Sequence, residues 1–142
     1  MKKSTYLSLI AVSLVNAGLM LTIPVVNAST PAVSMQQANL PQPYSAQAFT
    51  AAQQSGQPFL VAFHKKGCSM CVAQQNALDQ ILTEPQFKNV RILVVDYNND
   101  TASLQQFKVG RQGTLILFKG SKEINRSDAL TKAVAIEKQL QG

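Results

Sequence analysis

Hydrophobic residues fall along this chain in two rhythms. Pro58 to Phe63 (PFLVAF), Val90 to Val95 (VRILVV) and Thr114 to Phe118 (TLILF) are short, nearly unbroken apolar runs. Such runs predict strands buried on both faces rather than strands with one wet side. Cys68 to Thr83 instead places Val72, Ala73, Ala77, Leu78, Ile81 and Leu82 at helical spacing, and Glu84-Pro85 closes that helix. Tyr44 to Ser55, rich in Ala and Gln around Phe49, predicts a short helix stopped by Gly56. Tyr97 to Asp100 reads as a turn led by Asp96, and Thr101 to Phe107 as another short helix. Lys119-Gly120-Ser121 is a tight turn into Lys122 to Asn125, which predicts a β-hairpin. Ser127 then offers an N-cap to a C-terminal helix carrying Leu130, Ala133, Val134, Ile136 and Leu140.

The order α-β-α-β-α-β-β-α places the chain in the α/β class, with a central mixed sheet of about four strands flanked by helices. Helices between the early strands imply parallel pairing, and the late hairpin adds an antiparallel edge. Phe49, Phe59, Phe63, Phe107 and Phe118 are expected in the core.

The first residues follow a different logic. Met1-Lys2-Lys3 is a basic start, and Leu7 to Val26 is apolar but broken by Ser8, Ser13, Asn16 and Thr22. Val26-Asn27-Ala28 is a small-residue site of the A-x-A type. Residues 1–28 are therefore expected to be a signal peptide cleaved after Ala28, delivering the protein to a bacterial periplasm or outside the cell. Disulfide chemistry is allowed there. Retention as a membrane anchor is the competing reading, because the apolar stretch approaches a spanning length. Residues 29–43 (STPAVSMQQANLPQP), with three prolines and little apolar periodicity, read as a flexible leader, and 44–142 as the folded domain.

Charge narrows the partners. Without Lys2 and Lys3, 11 Lys+Arg stand against 7 Asp+Glu, so the net charge falls from +6 to +4. The bases are scattered singly apart from Lys65-Lys66, with no basic stripe interleaved with aromatics, so nucleic acid is not an expected partner. The chain is expected to act as a monomer.

The candidate chemistry sits in His64-Lys65-Lys66-Gly67-Cys68-Ser69-Met70-Cys71, which holds both cysteines of the chain. A helix starting at Cys68 sets its sulfur beside unpaired backbone N–H groups and the positive end of the helix dipole. Both favour thiolate over thiol, and Lys65 and Lys66 would push the same way. Three uses are open: a redox pair, a Cu(I) clip on Cys68 and Cys71 with Met70 and His64 close by, or a structural staple. The staple closes only a very short loop, for about 2 kcal/mol against about 3 for a loop of about 15 residues. Soft thiolates suit Cu(I), whereas a closed zinc site wants more ligands than these residues supply.

Taken together, Pro58 to Phe63 running into Cys68-Ser-Met-Cys71, then Val94-Val-Asp96, then Thr114 to Gly120 resemble the thioredoxin family from about Tyr44 to Leu140. C-x-x-C after a buried strand and opening a helix, in this order of elements, carries the resemblance. It implies a thioredoxin-like fold and thiol–disulfide oxidoreductase activity, with Cys68 attacking a substrate disulfide and Cys71 resolving the mixed disulfide. It implies no cofactor beyond the Cys68–Cys71 disulfide. The implied partners are protein thiols and disulfides, together with a membrane-embedded thiol electron relay for recharging. A reductase or relay role is expected over a disulfide-forming one. Three departures from the family pattern bear on the site, one being Ser69-Met70 where Gly-Pro usually stands between the cysteines. Ala62 stands where a buried Asp is usual, implying a slower resolving step. The family's cis-proline position falls at Gly113, before Thr114, so a trans peptide, open space beside the sulfurs and an altered peptide-binding mode are expected.

Overall fold

The computed structural model describes residues 40–142; the signal peptide read at 1–28 and the leader up to 39 lie outside the described residues. Along the chain run β1 (Gln42–Pro43), α1 (Ala46–Gln54), β2 (Pro58–His64), α2 (Ser69–Ile81) and β3 (Arg91–Asp96). They are followed by α3 (Thr101–Gln106), β4 (Thr114–Lys119), β5 (Lys122–Asp128) and α4 (Ala133–Leu140). The sheet has five strands in the order β1-β3-β2-β4-β5. β3 pairs in parallel with both β1 and β2, and β4 is antiparallel to β2 and β5.

Each apolar run became a strand because it is covered on two sides. From Phe59 to Phe63 every residue of β2 is buried, with successive side chains sent to opposite faces. Phe59, Val61 and Phe63 pack with Phe49 of α1 and with Phe107 and Phe118. Leu60 and Ala62 pack with Ala77, Leu78 and Ile81 of α2 and Ile136 and Leu140 of α4. All the phenylalanines expected in the core are there, and on the first face they stack edge to face, as Phe49 does on Phe59, Phe107 and Phe118 at 5.2–5.5 Å.

Three boundaries differ from the sequence reading. The end of the leader is a strand: Gln42 and Pro43 lie opposite Leu93 and Val94, and the Tyr44 N–H donates to the Val94 carbonyl at 2.8 Å. Pro43 is tolerated because β1 is an edge strand that can spare a donor. This edge strand raises the count from about four to five.

The hairpin's second strand runs on past Asn125 to Asp128, so Ser127 is a strand residue and caps nothing. It pairs with Leu115, and its hydroxyl donates to Gln139 Oε1 at 2.6 Å. α4 therefore starts later, after Lys132, with no side-chain cap. Val134, counted among its apolar residues, is 77% exposed; Ile136 and Leu140 carry the buried face, with Ala133 and Leu130 packed against it.

Candidate active site

β2 ends at His64, and Gly67 turns the chain at φ +78° into α2. Only a residue without a Cβ takes that turn cheaply. Cys68 is the N-cap of α2, and its sulfur does the work usually done by a Ser or Asp oxygen: it accepts the Cys71 N–H at 3.2 Å. No acidic residue occupies the first turn, so no carboxylate competes for the positive end of the helix.

The two sulfurs are consequently unlike. Cys68 is partly exposed, whereas Cys71, one turn in, is 2% exposed. The Cys71 thiol donating to Cys68, helped by the backbone N–H groups of Cys71 and Met70 and the Lys65 charge, holds the Cys68 thiol below its ordinary range. Burial pushes the Cys71 thiol up, and its hydrogen bond to Cys68 adds to that. The geometry thus favours the thiolate at the partly exposed sulfur and the thiol at the buried one.

Gly113 faces this helix from the loop before β4. No peptide among the described residues is cis, and Gly113 adopts φ +80°. Its N–H donates to the Phe63 carbonyl at 2.7 Å. A proline has no N–H and is held near φ −65°, so this loop is rebuilt around glycine rather than being a proline loop with the ring removed.

The expected open space beside the sulfurs is also absent. A Cβ at Gly113 would sit 2.6 Å from Met70 Sδ and 2.8 Å from its Cε, so the Met70 thioether already lies there. Met70 is half-buried for that reason.

A hydrogen-bond web fixes the loop. The Gly113 carbonyl accepts from the Ala129 N–H at 3.0 Å and from Gln74 Nε2 at 2.9 Å. Gln74, buried on α2, donates also to the Leu130 carbonyl at 2.9 Å. Ala129 takes the left-handed conformation at φ 58°, costly for a residue with a Cβ, and its bond to Gly113 holds it there. Thr114, buried, has its hydroxyl within hydrogen-bond distance of the Arg111 carbonyl (2.9 Å) and Asp128 Oδ1 (2.7 Å).

The remaining candidates divide. Lys65 acts on both sulfurs through its charge, and its carbonyl accepts the Cys68 N–H at 3.3 Å. Ser69 is the exposed first residue of α2. Lys66 and His64 instead line a cavity of about 460 Å³ with Pro41, Gln42, Pro43, Val94 and Asp96, and neither cysteine reaches it. Asp96 is the turn-former expected: its carboxylate accepts from Asn98 N and Asn99 Nδ2, which hold it below the usual carboxylate range. Among the described residues no three of His, Cys, Asp and Glu gather closely enough to hold a metal, so His64 does not join the cysteines as a third ligand.

Residues 41–142 match the thioredoxin family model. The chain belongs to the thioredoxin family. A thioredoxin-like protein of Edwardsiella tarda, solved crystallographically, is similar at 37% identity, with a TM-score of 0.68 over 71% of this chain and 98% of that one. A thioredoxin-like protein of Synechocystis is 25% identical over 87 residues, 61% of this chain and 82% of its own. Mitochondrial thioredoxin of Saccharomyces cerevisiae, in its oxidised form, shares the fold at 17% identity and a TM-score of 0.61, over 71% of this chain and 93% of that one.

On this thioredoxin-like frame Gly113 lies against Met70, the residue before Cys71. The sequence reading missed Gln74 and Ala129. Gln74 left a faint signal, a polar residue three positions after Cys71 on a helix face otherwise apolar at Ala77, Leu78 and Ile81. Ala129 left none, because a left-handed alanine looks like any other in sequence.

Proposed function

We propose that this protein is an exported thiol–disulfide oxidoreductase, working as a disulfide reductase or electron relay in the periplasm or outside the cell. The polarised cysteine pair at the start of α2 carries the reading: a partly exposed sulfur favoured as thiolate, beside a buried sulfur favoured as thiol. In the reaction, the Cys68 thiolate attacks one sulfur of a substrate disulfide. The S–S bond breaks, and the departing thiolate takes up a proton. Cys71 then gives up its proton, attacks Cys68 Sγ and closes the Cys68–Cys71 disulfide, releasing the second substrate thiol. Two electrons pass to the substrate, whose two thiols take one proton from Cys71 and one from solvent, and the protein needs no cofactor beyond its own cysteines.

The usual buried Asp is replaced by Ala62, itself buried, so the Cys71 proton leaves through solvent or a neighbouring polar group, and the resolving step is slow. Recharging in an oxidising compartment calls for a membrane-embedded thiol relay as the second partner.

The test is insulin reduction with single cysteine variants. Cys68→Ser is expected to abolish turnover and Cys71→Ser to accumulate mixed disulfides. Wild-type turnover in both variants would refute the redox reading. A reduction potential near about −270 mV supports the reductase direction, and one near about −120 mV reverses it.

A further inference from the structure

The cavity that neither cysteine lines opens at the carboxyl ends of three strands running the same way. Pro43, Asp96 and His64, the last residues of β1, β3 and β2, all border it. In open α/β sheets the crevice outside the carboxyl ends of the strands is where ligands settle. At about 460 Å³ the cavity has the size of a small-molecule site. Pro41, Pro43 and Val94 give it apolar walls, and Lys66 and Asp96 bring one charge of each sign. Those charges do not pair with each other: the one ion pair among the described residues joins Arg126 to Glu123. The Asn98 N–H and Asn99 Nδ2 donate to one Asp96 oxygen each, at 2.9 and 2.7 Å, and hold the carboxylate charged. Each oxygen keeps a second lone pair for a further donor, and the exposed Lys66 ammonium has three donors to give.

We infer that this cavity is a binding site for a small zwitterion with an apolar body, of the class of the apolar α-amino acids. The ligand's carboxylate lies at Lys66, its ammonium at Asp96, and its side chain against Pro41, Pro43 and Val94. His64, opposite Asp96 in the register of β2 and β3, lines the cavity beside the ammonium. A ligand of one charge alone gains from one of the two groups and is repelled by the other, so both signs are needed for a match. The site is separate from the dithiol and does not depend on the redox reading.

The experiment titrates leucine and three relatives with the same apolar body into the protein near neutral pH, following the amides of His64, Val94 and Asp96 by NMR. Leucinamide keeps only the ammonium, isocaproate only the carboxylate, and N-acetyl-leucinamide neither. Leucine is expected to shift the three amides saturably, with leucinamide and isocaproate each binding about three- to five-fold more weakly. Lys66→Met, which keeps the apolar stem, should weaken leucine by that same factor and leave leucinamide unchanged. Asp96→Asn, which keeps an acceptor for the turn, should weaken leucine likewise and leave isocaproate unchanged. Isocaproate binding as tightly as leucine overturns the inference, because the site would then take anions. Equal affinity for all four compounds overturns it too, leaving only an apolar patch. So does the lack of any saturable shift with leucine up to its solubility limit.

Discussion

The two faces of the sheet are built from different materials. The face under α1 and α3 is aromatic, with Phe49, Phe59, Phe63, Phe107 and Phe118 in mutual contact. The face under α2 and α4 is largely aliphatic, and it carries Cys71 and two buried amides, Gln74 and Gln139. Those amides reach backbone carbonyls at the ends of strands: Gln74 to Gly113 and Leu130, Gln139 to Leu115. The aromatic face stabilises by area and ring geometry, which are forgiving of direction. The aliphatic face spends buried polar groups, each of which must be matched, on holding loops in place near the cysteines. A working site needs the second kind of core, and the first kind supplies the stability it rests on.

That contrast breaks or sharpens under substitution. The largest effect is expected from Phe59→Ala, which empties a site 1% exposed and stacked on Phe118 at 5.3 Å. It should cost about 3–5 kcal/mol in urea unfolding while the folded fraction keeps its Cys68 alkylation rate. A changed alkylation rate would mean that the faces are not separable. Gln74→Leu keeps the volume and removes both donors, for about 1–3 kcal/mol. It should also speed hydrogen exchange at the Gly113 amide, whose bond to Phe63 depends on the loop that Gln74 holds. Lost stability with unchanged exchange at Gly113 would reduce Gln74 to ordinary packing.

The smallest change is one of pH alone. Because Cys68 is shifted down and Cys71 up, the reduced protein near neutral pH should take one iodoacetamide, on Cys68. The second label follows only at alkaline pH. The two sulfurs link stability to pH in opposite directions. The depressed Cys68 pKa stabilises the reduced fold above the ordinary thiol range, a contribution lost as pH falls through the folded value. The raised Cys71 pKa stabilises it below that range, a contribution lost as pH rises through its own folded value. Equal labelling of both cysteines near neutral pH would remove the polarisation.

Much of this was legible in the residues. An apolar run such as PFLVAF has one comfortable place, between two covered faces, and the C-x-x-C after it could only open the next helix. Other features were hidden because their cause lies far away in sequence. Gln42 and Pro43 look like linker until Leu93 and Val94 arrive beside them. Ser127 looks like a helix cap until its pairing with Leu115 extends the strand. The Gly113 loop misled most. Glycine in place of proline suggested a gap, and a gap it would be without Met70.

The sequence by itself determined the class of fold, the order of the helices and of the four longer strands, and the pair of sulfurs at a helix start, because burial patterns and helix termini are local physics. The tertiary structure alone decided where His64 goes and what fills the space at Gly113. Those depend on contacts between segments dozens of residues apart, whose geometry is set when the faces of the sheet are packed and not before.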